Sequence, residues 1–487
     1  MSRLVFRGAE VYPGGGAPFR ADVAVEDGRI AAIGPRVVGE VVDATGLLLL
    51  PGLIDLHAHS ALEPFRDPLL SPKALQGFTT EVICPDGLGP APVADVESRR
   101  AYLRALEGDG PPRWTWSTFA EYLDALPATA TSLVPSAPHG SIRELCNGDV
   151  AAMQREVRLA IEAGARMLSF GLVYIPGAYA DTEELVAVAQ IAGEHGVPLV
   201  PHVRDEGLRV LDAVREMIEV SERSGAPLHV SHLKSLAGDE LLEPLLDLVD
   251  SAGATFDQYP YGAGATLLAA LLPPWAQEGG PAATLARCAD RAERTRIARE
   301  LREREPGWEN KLALLGAERI VVDGIPLSDS GGDAAETVLD LLLETELSAS
   351  MILHYASDEA VRRVARHRRQ LVGSDGIFGE HPHPRLYATA PRFLGRFALR
   401  EGLLPVEEAV ARLTARAADL LGLADRGRIE VDKRADLLLI DPERYVDTAT
   451  YEQPRQSPDG VVGVWVAGER VVESGRVTGA RPGGVVV

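Results

Sequence analysis

From residue 51 onward, short apolar runs closing on a histidine or an aspartate alternate with amphipathic helical segments, and this alternation limits the fold more tightly than anything else in the chain. Strands that alternate with helices build a parallel sheet whose outer face the helices cover. One unit is legible from end to end. Residues 196–202 read as a strand, 206–224 as a helix with Leu208, Leu211, Val214 and Ile218 on one face, and 226–232 as the next strand. Gly225 follows the helix, where a left-handed closing residue is expected. Further strands are expected at residues 53–57, 81–84, 166–170, 254–259 and 370–374. An α/β chain with this repeat points to a (β/α)8 TIM barrel, here spanning residues 51–425.

The repeat is interrupted between residues 271 and 347 by Pro273, Pro274 and Trp275, then by an Arg/Glu-rich helical stretch at residues 291–305. This reads as an insertion lying over the barrel mouth. The first fifty residues carry strand-and-turn patterning instead, at residues 4–6, 22–25, 29–33 and 47–50. The same patterning returns at residues 427–431, 435–440 and 461–466, so residues 1–50 and 426–487 are expected to build one small composite β-sandwich domain together. A chain of 487 residues has room for it, since a bare barrel takes roughly 250.

A formal net charge of −22 opposes the polyanionic backbone of nucleic acid, which is bound through lysine and arginine. It leaves open an anionic small molecule in a locally basic pocket. The beginning of the chain lacks the pattern of a signal peptide, and no run approaches the roughly 18 apolar residues of a membrane helix. Cys84, Cys146 and Cys288 are too few and too scattered for a disulfide framework, which agrees with a reducing, cytoplasmic setting. A homo-oligomer is compatible with all of this. Lysine is scarce: the chain has only Lys73, Lys234, Lys311 and Lys433.

His57 and His59 stand two apart at the end of the run Leu53-Ile54-Asp55-Leu56, and strand geometry turns residues i and i+2 to one face. Alone, such a pair is as well explained by a polar surface. His202 and His232, however, each close a strand and are separated by one whole strand–helix unit, and Asp375 in Gly373-Ser374-Asp375-Gly376 closes the last strand in the same way. Four imidazoles and a carboxylate at the strand ends of one barrel, on the face where barrel enzymes carry their sites, suit Zn2+ or a similar divalent ion. Such an ion lowers the pKa of a water from about 15.7 to roughly 7 and polarises a carbonyl under attack. Asp375 is then placed to accept the water's proton and deliver it to a departing amine, which leaves poorly unless protonated. Its simpler role is that of a ligand only.

The other histidines carry less. His229 faces away from His232 and reads as packed or surface; His195 and His367 read as solvated helix ends. His381 and His383 alternate with prolines and suit either the rim or a substrate contact, while a place near the mouth is the less favoured reading of His139 and His354.

These residues resemble the amidohydrolase superfamily and, within it, the D-aminoacylases, or N-acyl-D-amino-acid deacylases, over nearly the whole chain. The resemblance rests on Pro51-Gly52-Leu53-Ile54-Asp55-Leu56-His57-Ala58-His59, Gln76-Gly77-Phe78-Thr79-Thr80, Pro201-His202-Val203-Arg204-Asp205-Glu206-Gly207, Val230-Ser231-His232-Leu233-Lys234, Asp257-Gln258-Tyr259-Pro260-Tyr261, Gly373-Ser374-Asp375-Gly376 and His383-Pro384-Arg385. The first and sixth of these are superfamily-wide. The resemblance implies a metal-dependent amidohydrolase barrel with a composite β domain, one or two zinc ions, and hydrolysis of N-acyl-D-amino acids to a carboxylate and a free D-amino acid. By motif matching, His57, His59, His202, His232 and Asp375 take the ligand positions. Lys234, Tyr259 and Arg385 take positions similar to those that hold the substrate α-carboxylate, and a guanidinium fork suits a planar carboxylate. The plainer reading of Lys234 and Arg385 is a salt bridge to barrel carboxylates.

Two departures stand out. Where the D-aminoacylases carry a metal-bridging cysteine in an Asn-Cys-Gly segment, this chain reads Cys84-Pro85-Asp86-Gly87. Counting from Gly77 puts Asp86 at that position, so Asp86 is the expected bridging ligand and Cys84 the alternative. Ala265 stands where the family has a serine, which removes a donor near the substrate. The rival enzyme readings are a cyclic-amide hydrolase, such as a hydantoinase or dihydroorotase, and an isoaspartyl-type dipeptidase. Many of these use a carboxylated lysine from the middle of the barrel, and no lysine lies between Lys73 and Lys234. A non-catalytic barrel serving as a binding module would be expected to have lost ligands, whereas all five are kept.

Overall fold

Apolar runs buried along nearly their whole length set eight short parallel strands edge to edge. In a computed structural model that describes residues 3–304, 307–379 and 381–486, Leu53–Asp55, Phe78–Ile83, Ser132–Pro138, Met167–Gly171 and Leu199–His202 form one sheet in chain order. His229–Val230, Thr255–Asp257 and Gln370–Leu371 form a second. Two parallel bridges, Leu199 to Leu228 and Ala58 to Gly376, join the sheets at both edges. The ring therefore closes into a distorted (β/α)8 barrel.

The sixth and eighth strands are shorter than the expected 226–232 and 370–374. In both, the chain leaves strand geometry early and turns through a left-handed residue, His232 at φ +31° and Asp375 at φ +49°. The helix after the fifth strand runs Val210–Ser224 rather than from residue 206, because the Asp205 carboxylate accepts the N–H groups of Gly207 and Arg209 and holds a turn there. It closes at Gly225 in the left-handed conformation. Its buried face is Val210, Ala213, Val214, Met217 and Val220, while Leu208 lies ahead of the helix and is exposed.

The two ends of the chain share one nine-stranded sheet. Leu48–Pro51 pairs antiparallel with Leu437–Ile440, which continues through Val461–Val466 and Glu469–Glu473 to Arg476–Val477. On the other side it continues to Leu4–Val11, Phe19–Glu26 and Arg29–Gly34. Phe6 packs edge-on against Trp465, with ring centroids 4.7 Å apart, in an apolar core with Val23, Ile30 and Leu437. The expected strand at residues 427–431 is absent. That segment is irregular, held by the Ile429 N–H on the Pro13 carbonyl and by the Arg428 guanidinium on both oxygens of Asp419.

Between the seventh and eighth barrel strands, Ala263–Leu267, Ser350–His354, Ile320–Val322 and Ile325–Pro326 make an antiparallel sheet, of which only the strand-like run Met351 to Leu353 shows in the sequence. Helices Gly280–Ala289, Arg291–Leu301, Lys311–Leu315 and Ala334–Glu344 accompany it. The Arg/Glu-rich stretch is helical over Arg291–Leu301, and Glu305 lies outside the described residues.

Candidate metal centre

Every metal-facing candidate leaves the barrel at the C-terminal end of a strand: His57 and His59 after the first, Asp86 after the second, His202 on the fifth, His232 after the sixth and Asp375 after the eighth. The backbone is bent to bring them there. Asp86, His232 and Asp375 all have positive φ, a conformation costly for a residue with a Cβ and concentrated at functional sites. Gly171, closing the fourth strand, lies so near the Asp86 carbonyl that any Cβ would collide with it. The turn that presents Asp86 thus depends on a neighbour without a side chain.

Two groups of potential ligand atoms result, each with all its members within 4.8 Å of one another: His57, His59, Asp86 and Asp375; and Asp86, His202 and His232. Asp86 belongs to both. Its Oδ1 lies 3.5 Å from His57 Nε2 and 3.5 Å from His232 Nε2, and its Oδ2 lies 3.6 Å from His59 Nε2 and 3.8 Å from His202 Nδ1. Asp375 Oδ1 lies 3.7 Å from His57 Nε2 and 3.3 Å from His59 Nε2. Cys84 belongs to neither group among the described residues, and burial pushes its thiol well up, which disfavours a thiolate.

These atoms are short of partners. Both ring nitrogens of His57, both of His202, and Asp86 Oδ1 are buried and make no hydrogen bond among the described residues. Buried polar atoms are costly to leave unpaired, and imidazole nitrogens converging on carboxylate oxygens are the donor set that zinc takes. Burial alone would raise the carboxyl of Asp86; the facing His57, His202 and His232 outweigh it and hold the carboxyl well below its usual range. Asp375 is likewise held low against burial, chiefly by Arg385 and His57.

Behind the ligands stand carboxylates. Asp257 Oδ1 lies 3.9 Å from His57 Nδ1, Glu107 Oε1 lies 3.3 Å from His59 Nδ1, and Glu206 faces both His202 and His232. Of the contacts to His57, His59 and His202, only that between Glu107 and His59 is a hydrogen bond; a carboxylate so bonded fixes the orientation and tautomer of a metal-binding imidazole. His229 is packed, not exposed: its ring is buried between Thr255 and Asp257.

The three substrate candidates lie beside the cluster. Arg385 is fully buried, its Nη2 3.0 Å from Asp375 Oδ2 and donating to the Ala265 carbonyl at 2.9 Å, while its Nε and Nη1 have no hydrogen-bond partner among the described residues. Its guanidinium stacks over Tyr259 at 4.4 Å. Lys234 is salt-bridged to Glu206 at 2.6 Å. Lys234 and Tyr259 line a small cavity at the cluster together with Tyr174, Thr266, Lys311, Leu353, Tyr355 and Ile377, and Arg385 lies behind its wall, against Tyr259 and Asp375.

Of the remaining histidines, His383 is buried and its Nδ1 accepts the Arg385 N–H at 3.0 Å, so it supports the guanidinium's backbone. His381 is exposed, His195 ends a helix at the surface, His367 follows a helix end, His139 is buried against Phe170 and Glu184, and His354 is half-buried beside Tyr451. Sequence reasoning missed Glu107, Glu206, Asp257 and Lys311. One signal was available for the last: in a chain with four lysines, Lys73, Lys234 and Lys311 are buried around the site.

Comparison with known proteins adds to this geometry. Residues 40–472 match the model of the amidohydrolase family. The chain is 32% identical to the N-acyl-D-aspartate deacylase of Alcaligenes xylosoxydans xylosoxydans, covering 99% of this chain and 94% of that one. It is 33% identical to the N-acyl-D-glutamate deacylase of the same organism, covering 96% and 92%. A crystal structure of D-aminoacylase superposes with a TM-score of 0.82 at 27% identity over 99% of each chain. That of N-acyl-D-glutamate deacylase from Bordetella bronchiseptica, complexed with zinc and a phosphonate inhibitor, gives 0.83 at 28% identity over 99% and 98%. D-hydantoinase, at 16% identity and a TM-score of 0.56, shares the fold alone.

Proposed function

Because the chain belongs to the amidohydrolase family and, within it, to the D-aminoacylase group of N-acyl-D-amino-acid deacylases, we propose that it hydrolyses the amide bond of N-acyl-D-amino acids. It is a metal-dependent hydrolase with a binuclear metal-binding cluster. The observation that carries the substrate reading is Arg385: a buried guanidinium beside that cluster with two N–H groups unpaired among the described residues, suited to an α-carboxylate.

His57, His59, Asp86 and Asp375 would hold one ion, and Asp86, His202 and His232 the other. A divalent ion there supplies an acidified water and polarises the amide carbonyl. Asp375 takes the proton of the attacking water and returns it to the amide nitrogen as the C–N bond breaks, so that a neutral amine departs. Arg385 fixes one oxygen of Asp375 and offers its remaining N–H groups to the substrate α-carboxylate, together with Lys234 and the Tyr259 hydroxyl. Ala265 supplies no side-chain donor to the substrate; its backbone carbonyl accepts from Arg385 Nη2 at 2.9 Å and orients the guanidinium.

A small-molecule partner also suits the net charge of −22. Among the described residues no helix is long and apolar enough to cross a membrane. Three free cysteines support a cytoplasmic setting.

The test is to assay the zinc-loaded enzyme on N-acetyl and N-formyl D- and L-amino acids, with hydantoins and dipeptides as controls. Turnover confined to acylated D-amino acids is expected. Hydrolysis of hydantoins or dipeptides with none of acylated amino acids would overturn the reading. In Arg385→Met, KM for acylated amino acids should rise at least about tenfold, while neutral amides lacking the α-carboxylate change far less.

A further inference from the structure

Glu206 follows the fifth strand and is 3% exposed. Its Oε1 lies 2.6 Å from Lys234 Nζ and 3.1 Å from His232 Nδ1; its Oε2 lies 3.5 Å from His202 Nε2. One carboxylate therefore reaches the outward nitrogens of two imidazoles whose inward nitrogens face Asp86, and an ammonium besides. Glu206 is itself fixed from outside the barrel wall. Its N–H donates to Glu309 Oε1 at 2.6 Å, and Glu309 pairs with Lys311 in the segment between the seventh and eighth strands.

We propose that Glu206 is a positioning residue that sets the tautomers of His202 and His232 and couples that half of the metal cluster to the substrate anchor Lys234. The inference rests on the metal and substrate roles proposed above. A neutral imidazole has one N–H and one lone pair; a metal takes the lone pair, so the outward nitrogen must carry the proton and needs an acceptor. The two rings present opposite nitrogens outward, Nδ1 in His232 and Nε2 in His202; Glu206 Oε1 faces the first at 3.1 Å and Oε2 faces the second at 3.5 Å, where His202 Nε2 has no other hydrogen-bond partner among the described residues. Lys234 Nζ is also 2.8 Å from His232 Nδ1, but a nitrogen that carries a proton accepts nothing. The ammonium then donates to Glu206 and to the His232 carbonyl at 3.1 Å, so its position follows that of the carboxylate.

The test compares full-length wild type, Glu206→Gln and Lys234→Met by zinc retention under graded chelation, thermal stability of the metal-free proteins, and separate KM and kcat values. Glu206→Gln should weaken retention of one ion by about 10–100-fold, leave the other within about threefold and raise KM for acylated amino acids. Lys234→Met should raise KM with both ions retained. Independently of any variant, 15N-histidine spectra of zinc-loaded wild type should place the proton of His232 on Nδ1 and that of His202 on Nε2. The opposite tautomers overturn the proposal even if Glu206→Gln fails to fold. So does equal weakening of both ions, which marks a merely structural role. Wild type that binds no ion overturns the functional reading and this inference together. Wild type that binds two ions and deacylates, beside a Glu206→Gln variant that keeps both, overturns this inference alone.

Discussion

Around His57, His59 and Asp375 the metal-facing side chains look out on different partners, whereas the outward nitrogens of His202 and His232 face a single carboxylate, Glu206. Glu107 hydrogen-bonds His59 and Arg385 pairs with Asp375, while Asp257 lies 3.9 Å from His57 Nδ1 and its Oδ1 also accepts the His232 N–H at 3.1 Å. Beneath them the Asp55 carboxylate accepts the N–H groups of His57 at 3.2 Å and Ser374 at 2.7 Å, and Lys73 pairs with its other oxygen at 2.6 Å. On the opposite side, Glu206 serves two imidazoles and Lys234. Dispersed supports confine the effect of losing one of them. A shared support spreads it, here to the residue proposed to anchor the substrate and, through Glu309, to the segment between the seventh and eighth strands.

The largest expected effect removes what the halves have in common. Asp86→Ala should release metal from both groups and cut kcat/KM by at least about a thousandfold, while Cys84→Ala leaves metal content and activity nearly intact. Metal analysis of the two variants decides this. Loss from one half alone would mean that the halves are not joined through Asp86, and the reverse pattern would make Cys84 the ligand. Next comes Asp375→Asn, which should lower kcat at least about a hundredfold with much of the metal kept, as removal of a proton-transferring group does. Near-normal turnover of the metal-loaded variant would leave Asp375 a ligand only. The smallest effect sharpens the contrast most. Glu107→Gln should weaken retention at the His57 and His59 half by about tenfold and leave KM unchanged. A raised KM there would mean that damage spreads on this side too, and the distinction between dispersed and shared support would fall.

The barrel and most of the cluster were legible because period and position carry them. His57 and His59 follow an apolar run at a spacing of two, and His202 closes a strand by its pattern. His232 and Asp375 were read as strand ends, yet the chain has already turned left-handed at both, something hydrophobic alternation does not encode. Asp86 could be placed only through resemblance, since a carboxylate in a Pro-Asp-Gly turn reads locally as a turn residue. Glu107 and Glu206 escaped notice for a related reason. One ends a helix and the other opens a turn, and in each case the partner that gives the carboxylate meaning comes from another strand. Of the small antiparallel sheet only the run Met351 to Leu353 was legible; its other strands are not part of the strand–helix repeat that marks barrel strands just as short. The false strand at residues 427–431 alternates convincingly but has no neighbour to pair with beyond one hydrogen bond to Pro13.

The pairing of Leu48–Pro51 with Leu437–Ile440 has a consequence for how this enzyme is made. Leu48–Pro51, which precedes the first barrel strand, completes its hydrogen bonding only against residues translated after all eight barrel strands. Contacts so distant in sequence are slow to form, because the intervening chain must be ordered before they reward it. Closure of that sheet therefore waits for the last part of the chain. Until then one edge of Leu48–Pro51 stays unpaired, the kind of edge that is open to mispairing.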